Sequence, residues 1–375
     1  MGYGGGGGGG GSGGSGGSSG GSGYRRVGED RTANLKVNNI TSRDGQTGTV
    51  VAGIATVTST SHFVPPSGTT AERGSRGRGV FAGGVVQPTN SNSIDFVTIA
   101  TTGNAADFGD LTGVRSGVGG CSSSTRGIFG GGNSPTKESV IDYITISATG
   151  NAFDFGDLTL ARDYSAACSS STRGVFAGGD PGSSPNLDDT IDYITIASLG
   201  NAADFGNTLS NISGASASGS STRGIIAGGA TPGVSNVIEF ITISTLGNSS
   251  DFGDLTLARH SSPGSGSSPT RALFGGGNPG NPNPNNRTDV IDFVTIASLG
   301  DALDFGNLTE ARYLMNGTAS SSIRALFSGG YNSGYVNTID YVTIATTGDA
   351  ADFGDLTAGG KYGSGACSDS HGGLG

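Results

Sequence analysis

Three histidines, three cysteines and a recurring set of acids are the residues of this chain most able to do chemistry. His62, His260 and His371 stand in unlike contexts, with no paired spacing of the kind that puts two imidazoles on one metal. Cys121, Cys168 and Cys367 form no C-x-x-C pair. They recur in GGCSSST, AACSSST and GACSDS, so they read as one repeated small buried position, filled elsewhere by Ser218 and Ala319. The tripeptide Asp-Phe-Gly holds magnesium in some phosphoryl-transfer sites, but here it occurs six times without the phosphate loop, lysine or His-Arg-Asp segment such a site needs. It reads as strand.

The recurring acids are Asp95, Asp142, Asp192, Glu239, Asp292 and Asp340, with Asp110, Asp157, Asp254 and Asp355 after four of the six Phe-Gly pairs. Carboxylates and loop carbonyls suit calcium. The rival reading pairs the first set with the recurring Arg115, Arg162, Arg259 and Arg312, and it is favoured because the topology derived below brings both sets to one face. No catalytic residue, metal or cofactor is assigned, and the chain is expected not to be an enzyme.

What positions these residues is a repeat. RGVFAGG at 78–84 returns at 126, 173, 223, 271 and 324. The segment IDFVTIA returns from Ile94 at Ile141, Ile191, Ile238, Ile291 and Ile339, a mean spacing of 49 residues. With the Asp-Phe-Gly element and a Ser/Ala/Gly run, each unit holds four short strands. Such units suit radial repetition around an axis, so the fold class is all-β, a β-propeller of six four-stranded blades. The run Ser364-Gly365-Ala366-Cys367-Ser368 follows the sixth unit, while residues 68–77 make a poor inner strand. The C-terminal strand is therefore expected to close blade one and remove the ring's edges. Seven blades remain open if residues 33–66 supply another.

The chain has 375 residues, 73 of them glycine, and a net charge of −10. So much glycine argues against long helices, and an acidic chain without basic runs argues against nucleic acid as a partner. No stretch approaches 18 apolar residues, and the first residues have neither a basic nor an apolar region, so neither membrane insertion nor an ordinary signal peptide is expected. Residues 1–24 contain 16 glycines and read as a flexible tether. Residues 25–67 alternate β-branched residues around Arg43-Asp44-Gly45 and read as a small β-strand attachment module. Residues 68–375 are the propeller.

The units resemble kelch repeats in their Gly doublet, in Tyr143, Tyr193 and Tyr341 on the third strand, and in the arginines opening each unit. They depart from that pattern in carrying Phe108, Phe155, Phe205, Phe252, Phe305 and Phe353 where kelch repeats carry tryptophan. The wording IDYITIASLGNAADFGDLTLAR is similar to kelch-like repeats in virion proteins of tailed phages of marine bacteria, particularly cyanobacteria. LKVNNITSRDGQTGTVVAGIATVTSTSHF is similar to amino-terminal modules of such proteins. The resemblance implies a tail fibre or tail-associated protein, made in the host cytoplasm and displayed on the virion. It also implies contacts with other virion proteins through residues 25–67, and a homotrimer, because fibres are commonly threefold.

In an antiparallel four-stranded blade, the loops joining second to third strands and those joining fourth to next first strands emerge on one face. The former span 85–93, 133–140, 180–190, 230–237, 278–290 and 331–338, with unrelated sequences, whereas turns on the other face barely vary. Variable loops on a rigid ring are where recognition is usually placed. The expected contacts with a host-surface glycan or protein are Tyr331, Tyr335, Tyr313, Asn285, Asn286, Arg287, Asp188 and Asp189. The rivals are a structural decoration or assembly protein with no receptor, and a polysaccharide-degrading enzyme with acids clustered at one channel mouth.

Overall fold

The structure is a computed structural model and describes residues 77–182, 187–261, 263–280, 286–315 and 319–374. The expected tether, the attachment module and Asn285 lie outside the described residues.

The described chain is a six-bladed β-propeller, each blade one small antiparallel sheet. Blade two runs outward through Gly119–Ser122, Arg126–Gly130, Val140–Thr145 and Phe153–Asp157. Its inner strand is small and buried throughout, as crowding around an axis demands. Blade one takes its inner strand from the other end of the chain: Gly365–Ser368 pairs with Arg78–Ala82, placing Cys367 opposite Val80. Blades six and one share a core of Phe81, Val97 and Ile99 with Leu326, Ile339 and Phe353, so the ring closes at six. The seventh blade weighed for residues 33–66 has no gap to fill. In blade six the expected inner strand shrinks to a single bridge, Ser320 to Ala325, leaving a three-stranded sheet.

The core lies between blades. One cluster joins Ile128, Ile141 and Phe155 of blade two to Phe176, Ile194 and Ile196 of blade three, and each other interface has its counterpart. The Asp-Phe-Gly element is a β-bulge: Asp107 pairs with Asp95 and Gly109 with Ile94, leaving Phe108 as the extra residue. The bulge turns Phe108 into the core while Asp107 stays exposed. Every blade repeats this shift.

Gly109 explains why the third-to-fourth turns barely vary. The turn of the next blade lies along the outer strand, Gly150 N–H donating to Phe108 O at 2.7 Å and Ala152 N–H to Asp110 O at 2.7 Å. A Cβ on Gly109 would overlap the Gly150 carbonyl. Blade six is covered by blade one in the same way, through Gly103 and Ala105. Each outer edge is thereby paired rather than left open to other chains.

The arginines and acids meet as expected. Arg115, Arg162, Arg259 and Arg312 pair with Asp142, Asp192, Asp292 and Asp340 at 2.9, 3.0, 2.6 and 2.9 Å, every partner buried. Lys361 takes the arginine's part for Asp95 at 3.3 Å. Each carboxylate also ties down the preceding blade: Thr112 donates to Asp142 through its N–H at 3.0 Å and its hydroxyl at 2.7 Å. Blade four departs from the pattern. Ile212 stands where the cation would be, and Glu239 instead accepts from Ser249 Oγ at 2.6 Å and Leu209 N at 3.0 Å.

The cysteines are buried free thiols, as the repeat suggested. Each packs on the glycine at the second position of the next blade's second strand. A Cβ there would come within 2.9 Å of Sγ for Gly127 on Cys367 and 2.7 Å for Gly174 on Cys121 and Gly224 on Cys168. Where that glycine becomes Ala325, the inner residue facing it shrinks to Gly266.

Candidate binding face

The variable face is built on a constant backbone frame. In every blade the residue after the arginine (or its substitute) forms an isolated bridge with the first residue beyond the Gly doublet. The pairs are Ser116 with Asn133, Asp163 with Asp180, Ser213 with Ala230, His260 with Asn278, Tyr313 with Tyr331, and Tyr362 with Val85. Six equivalent backbone positions thus carry six chemically different side-chain pairs. Nearer the axis, a second ring of backbone bonds holds the connectors: Tyr164 N–H donates to Gly117 O, Gly214 to Tyr164, Leu314 to Ser261, Gly363 to Leu314 and Gly117 to Gly363, at 2.7–3.1 Å. These connector residues all have positive φ, from 51° at Tyr164 to 69° at Gly117. Glycine accepts that freely, whereas at Tyr164, Ser261 and Leu314 the conformation costs about 1–3 kcal/mol each.

Tyr313, Tyr331 and Tyr335 come together at blade six, with Tyr362, which the sequence reading left out. Tyr331 lies 5.7 Å from Tyr313, 5.9 Å from Tyr335 and 6.4 Å from Tyr362, centroid to centroid. Tyr335 stacks on Tyr362 at 5.2 Å and 20°. The rings are half-buried, and Tyr331 bridges both Tyr313 and Tyr335 through its backbone. Burial first, then neighbouring phenols, push the Tyr313 and Tyr362 hydroxyls up from their ordinary value, so they stay protonated hydrogen-bond donors. Arg287 reaches this group, its Nη2 donating to Ser333 Oγ at 2.6 Å, and Asn286 sits beside it, Oδ1 accepting from the Arg287 N–H at 3.2 Å.

Asp188 and Asp189 lie apart from that cluster, on blade three across the ring. The third strand there begins at Asp188, so both belong to a strand rather than to the loop assigned to 180–190. Asp188 Oδ2 is engaged by Arg162 at 3.3 Å, and the Asp189 carbonyl accepts from Thr208 Oγ1 at 3.2 Å. Beside them stands a charged trio missed in the sequence: Lys137 Nζ bonds Asp163 at 2.6 Å and Asp180 at 3.0 Å. Burial works against the Lys137 charge, but the two carboxylates outweigh it and hold the ammonium above its usual value. Reading down the column of residues that follow the arginines and Lys361 would have found Asp163, His260 and Tyr362.

The channel mouth on this face is lined by small residues with Tyr164, Pro263 and Met315, and among the described residues its lining carries no carboxylate. At the opposite end the chain's own tail enters the channel. His371 is buried there, with Nε2 at 3.1 Å from Ser122 O and Nδ1 accepting from Gly373 N–H at 3.0 Å. That end also receives the chain at Gly77, whose N–H donates to Asp369 Oδ1 at 2.6 Å. Among the described residues no three or more His, Cys, Asp or Glu are grouped to hold a metal.

No known protein-family description matches the chain, and no curated protein does.

Proposed function

We propose that the chain is a non-enzymatic, kelch-like virion protein of a tailed phage, a tail fibre or tail-associated component whose variable face binds a host-surface glycan or protein. The virion assignment rests on the wording of the repeats and of residues 25–67. The binding role rests on one observation: six equivalent bridges with six unlike side-chain pairs, on the face opposite the point where the chain enters the ring. A rigid frame that varies only its side chains is suited to recognition, and tyrosines with protonated hydroxyls suit sugars and protein surfaces alike. Residues 25–67 attach the protein to other virion proteins and assemble it as a trimer at the particle surface, where several copies multiply weak contacts.

A second reading, an assembly protein without a receptor, is favoured by a different feature. Leu199, Leu246 and Leu299, at the same turn of three successive blades, are 59%, 52% and 60% exposed on the other face. Binding of the fluorescently labelled chain to a panel of marine bacteria and their polysaccharides separates the two. Saturable, strain-selective binding that disappears when the six variable loops become short Gly-Ser turns supports the receptor role. No binding by the folded, multimerised protein assigns it to assembly.

A further inference from the structure

Blade four interrupts the variable face. Its neighbours place Asp163 with Asp180 and His260 with Asn278, whereas it places Ser213 with Ala230, beside Gly214. The missing side-chain volume leaves a recess of about 150 Å³, the size of one sugar ring. Tyr164 and Asp180 wall it on the blade-three side, His260 on the blade-five side, and Leu314 completes it.

A second observation marks the same place. Of the six positive-φ connector residues, three are Gly117, Gly214 and Gly363, and three are Tyr164, Ser261 and Leu314 at φ 51°, 63° and 55°. All three of the non-glycine residues line this recess. Glycine would be easier at each, and half of the ring uses it, so these side chains are kept against a backbone cost. Strain of that kind concentrates at ligand sites.

The chemistry narrows the ligand. Tyr164 and Leu314 offer apolar surface. His260 Nδ1 is engaged by Ser261 Oγ at 2.7 Å, which leaves Nε2 for a ligand, and burial holds the imidazole below its ordinary pKa and so neutral. Asp180 is oriented by Lys137 and by the Gly182 N–H at 2.7 Å. Two carboxylates against one ammonium leave the rim negative, which disfavours an anion. We propose that this recess binds one uncharged hexopyranose unit of a surface glycan, its ring against Tyr164 and Leu314 and its hydroxyls on His260 and Asp180. The inference rests on the variable face being the binding face and narrows it to a sugar and to blades three to five.

The test is saturation-transfer NMR of the full chain with methyl glycosides of glucose, galactose, mannose and N-acetylglucosamine, beside N-acetylneuraminic acid as the anionic probe. Transfer is expected to at least one neutral glycoside and not to the acid. It is expected to vanish in Tyr164→Gly, in Leu314→Gly and in Ala230→Trp, which fills the recess, and to persist in Tyr335→Ala. The glycine variants place at two connectors the residue that three others already carry, and a melting midpoint close to the parent's confirms their fold. No transfer to any glycoside overturns the proposal, as does transfer undiminished in all three recess variants. Cell binding by the same proteins separates the two levels of inference. If it survives the recess variants but not loop replacement, the recess is wrong and the binding face stands; if the parent binds no cells, the wider reading falls.

Discussion

Nη1 of Arg324 in the last blade donates to the carbonyl of Ile99 in the first, at 3.1 Å, closing a cycle that begins with Arg78 donating to Ile146 at 2.8 Å. Arg126, Arg173, Arg223 and Arg271 make the same bond to Ile196, Ile243, Ile296 and Ile344. Each guanidinium also lies 4.5–4.7 Å from the centroid of the third-strand ring of its own blade. One residue per blade therefore joins a cation–π contact within the blade to a hydrogen bond across the interface. A ring tied this way holds its frame while the loops above it change.

The buried ion pairs are expected to behave as pairs. Asp192→Ala leaves Arg162 buried without its main partner and should cost about 3–5 kcal/mol in denaturant unfolding. Among the described residues Glu239 pairs with no cation, and burial raises its carboxyl above the usual range despite the Ser249 bond. A carboxyl raised on folding weakens the fold above its ordinary titration range. Glu239→Gln should therefore leave stability at pH 7 unchanged or increased.

Gly109 tests the covered outer edges. Gly109→Ala drives a Cβ into the Gly150 carbonyl at a φ of 146° and should cost about 2 kcal/mol or more. Gly113→Ala, where a Cβ meets nothing within 4 Å, should stay within about 0.5 kcal/mol of the parent. Thermal unfolding of the two variants makes the comparison.

The thiol–glycine contacts predict a coupled pair. Gly224→Ala puts a Cβ 2.7 Å from Cys168 Sγ and should cost about 1–3 kcal/mol by overpacking. Adding Cys168→Gly should recover part of that loss, because the chain itself pairs Gly266 with Ala325. A double-mutant cycle with no coupling would contradict the size match. Burial pushes the Cys168 thiol up to about 12, so alkylation of the folded protein at pH 8 should be negligible.

The C-terminal tail should respond to acid. Burial lowers His371 from 6.5 to about 4, so the fold favours the neutral ring and its contribution is complete above pH 6.5. As pH falls through 6.5 toward 4, that contribution is lost, because a protonated Nδ1 cannot accept from Gly373 N–H. Hydrogen exchange at the Gly373 amide should accelerate over that window relative to the core amide of Val80, and His371→Gln should abolish the pH dependence.

Much of the fold was legible because the chain writes it six times. The spaced Ile-Asp and Arg columns gave the blade number and the ion pairs, and a Ser/Gly/Ala/Cys run after the last unit, with no second strand following it, gave the closure. Other features were silent for physical reasons. The RGVFAGG segments were read for their glycine doublet, while the reach of Arg78 to Ile146 depends on a neighbouring blade. The partners of Gly109 likewise lie one whole unit away, at Gly150. On the variable face the tyrosines of one hairpin could be grouped from local sequence, but Tyr362 joins them through the connector leaving blade six, where Gly330 N–H donates to the Lys361 carbonyl. The recess at blade four is set by small residues, Ser213 and Ala230, whose meaning appears only beside their larger equivalents. Asp188 looked like a loop carboxylate because nothing local shows that Arg162 reaches it.

The most direct measurement of the central claim compares the two faces in one assay. Whole-chain binding to a susceptible marine bacterium would be titrated for the parent, for Tyr331→Ala with Tyr335→Ala on the variable face, and for Leu199→Ser, Leu246→Ser and Leu299→Ser together on the other. The account predicts saturable binding that the tyrosine substitutions weaken and the leucine substitutions leave intact. Binding lost with the leucines and kept without the tyrosines would contradict it and move recognition to the constant face.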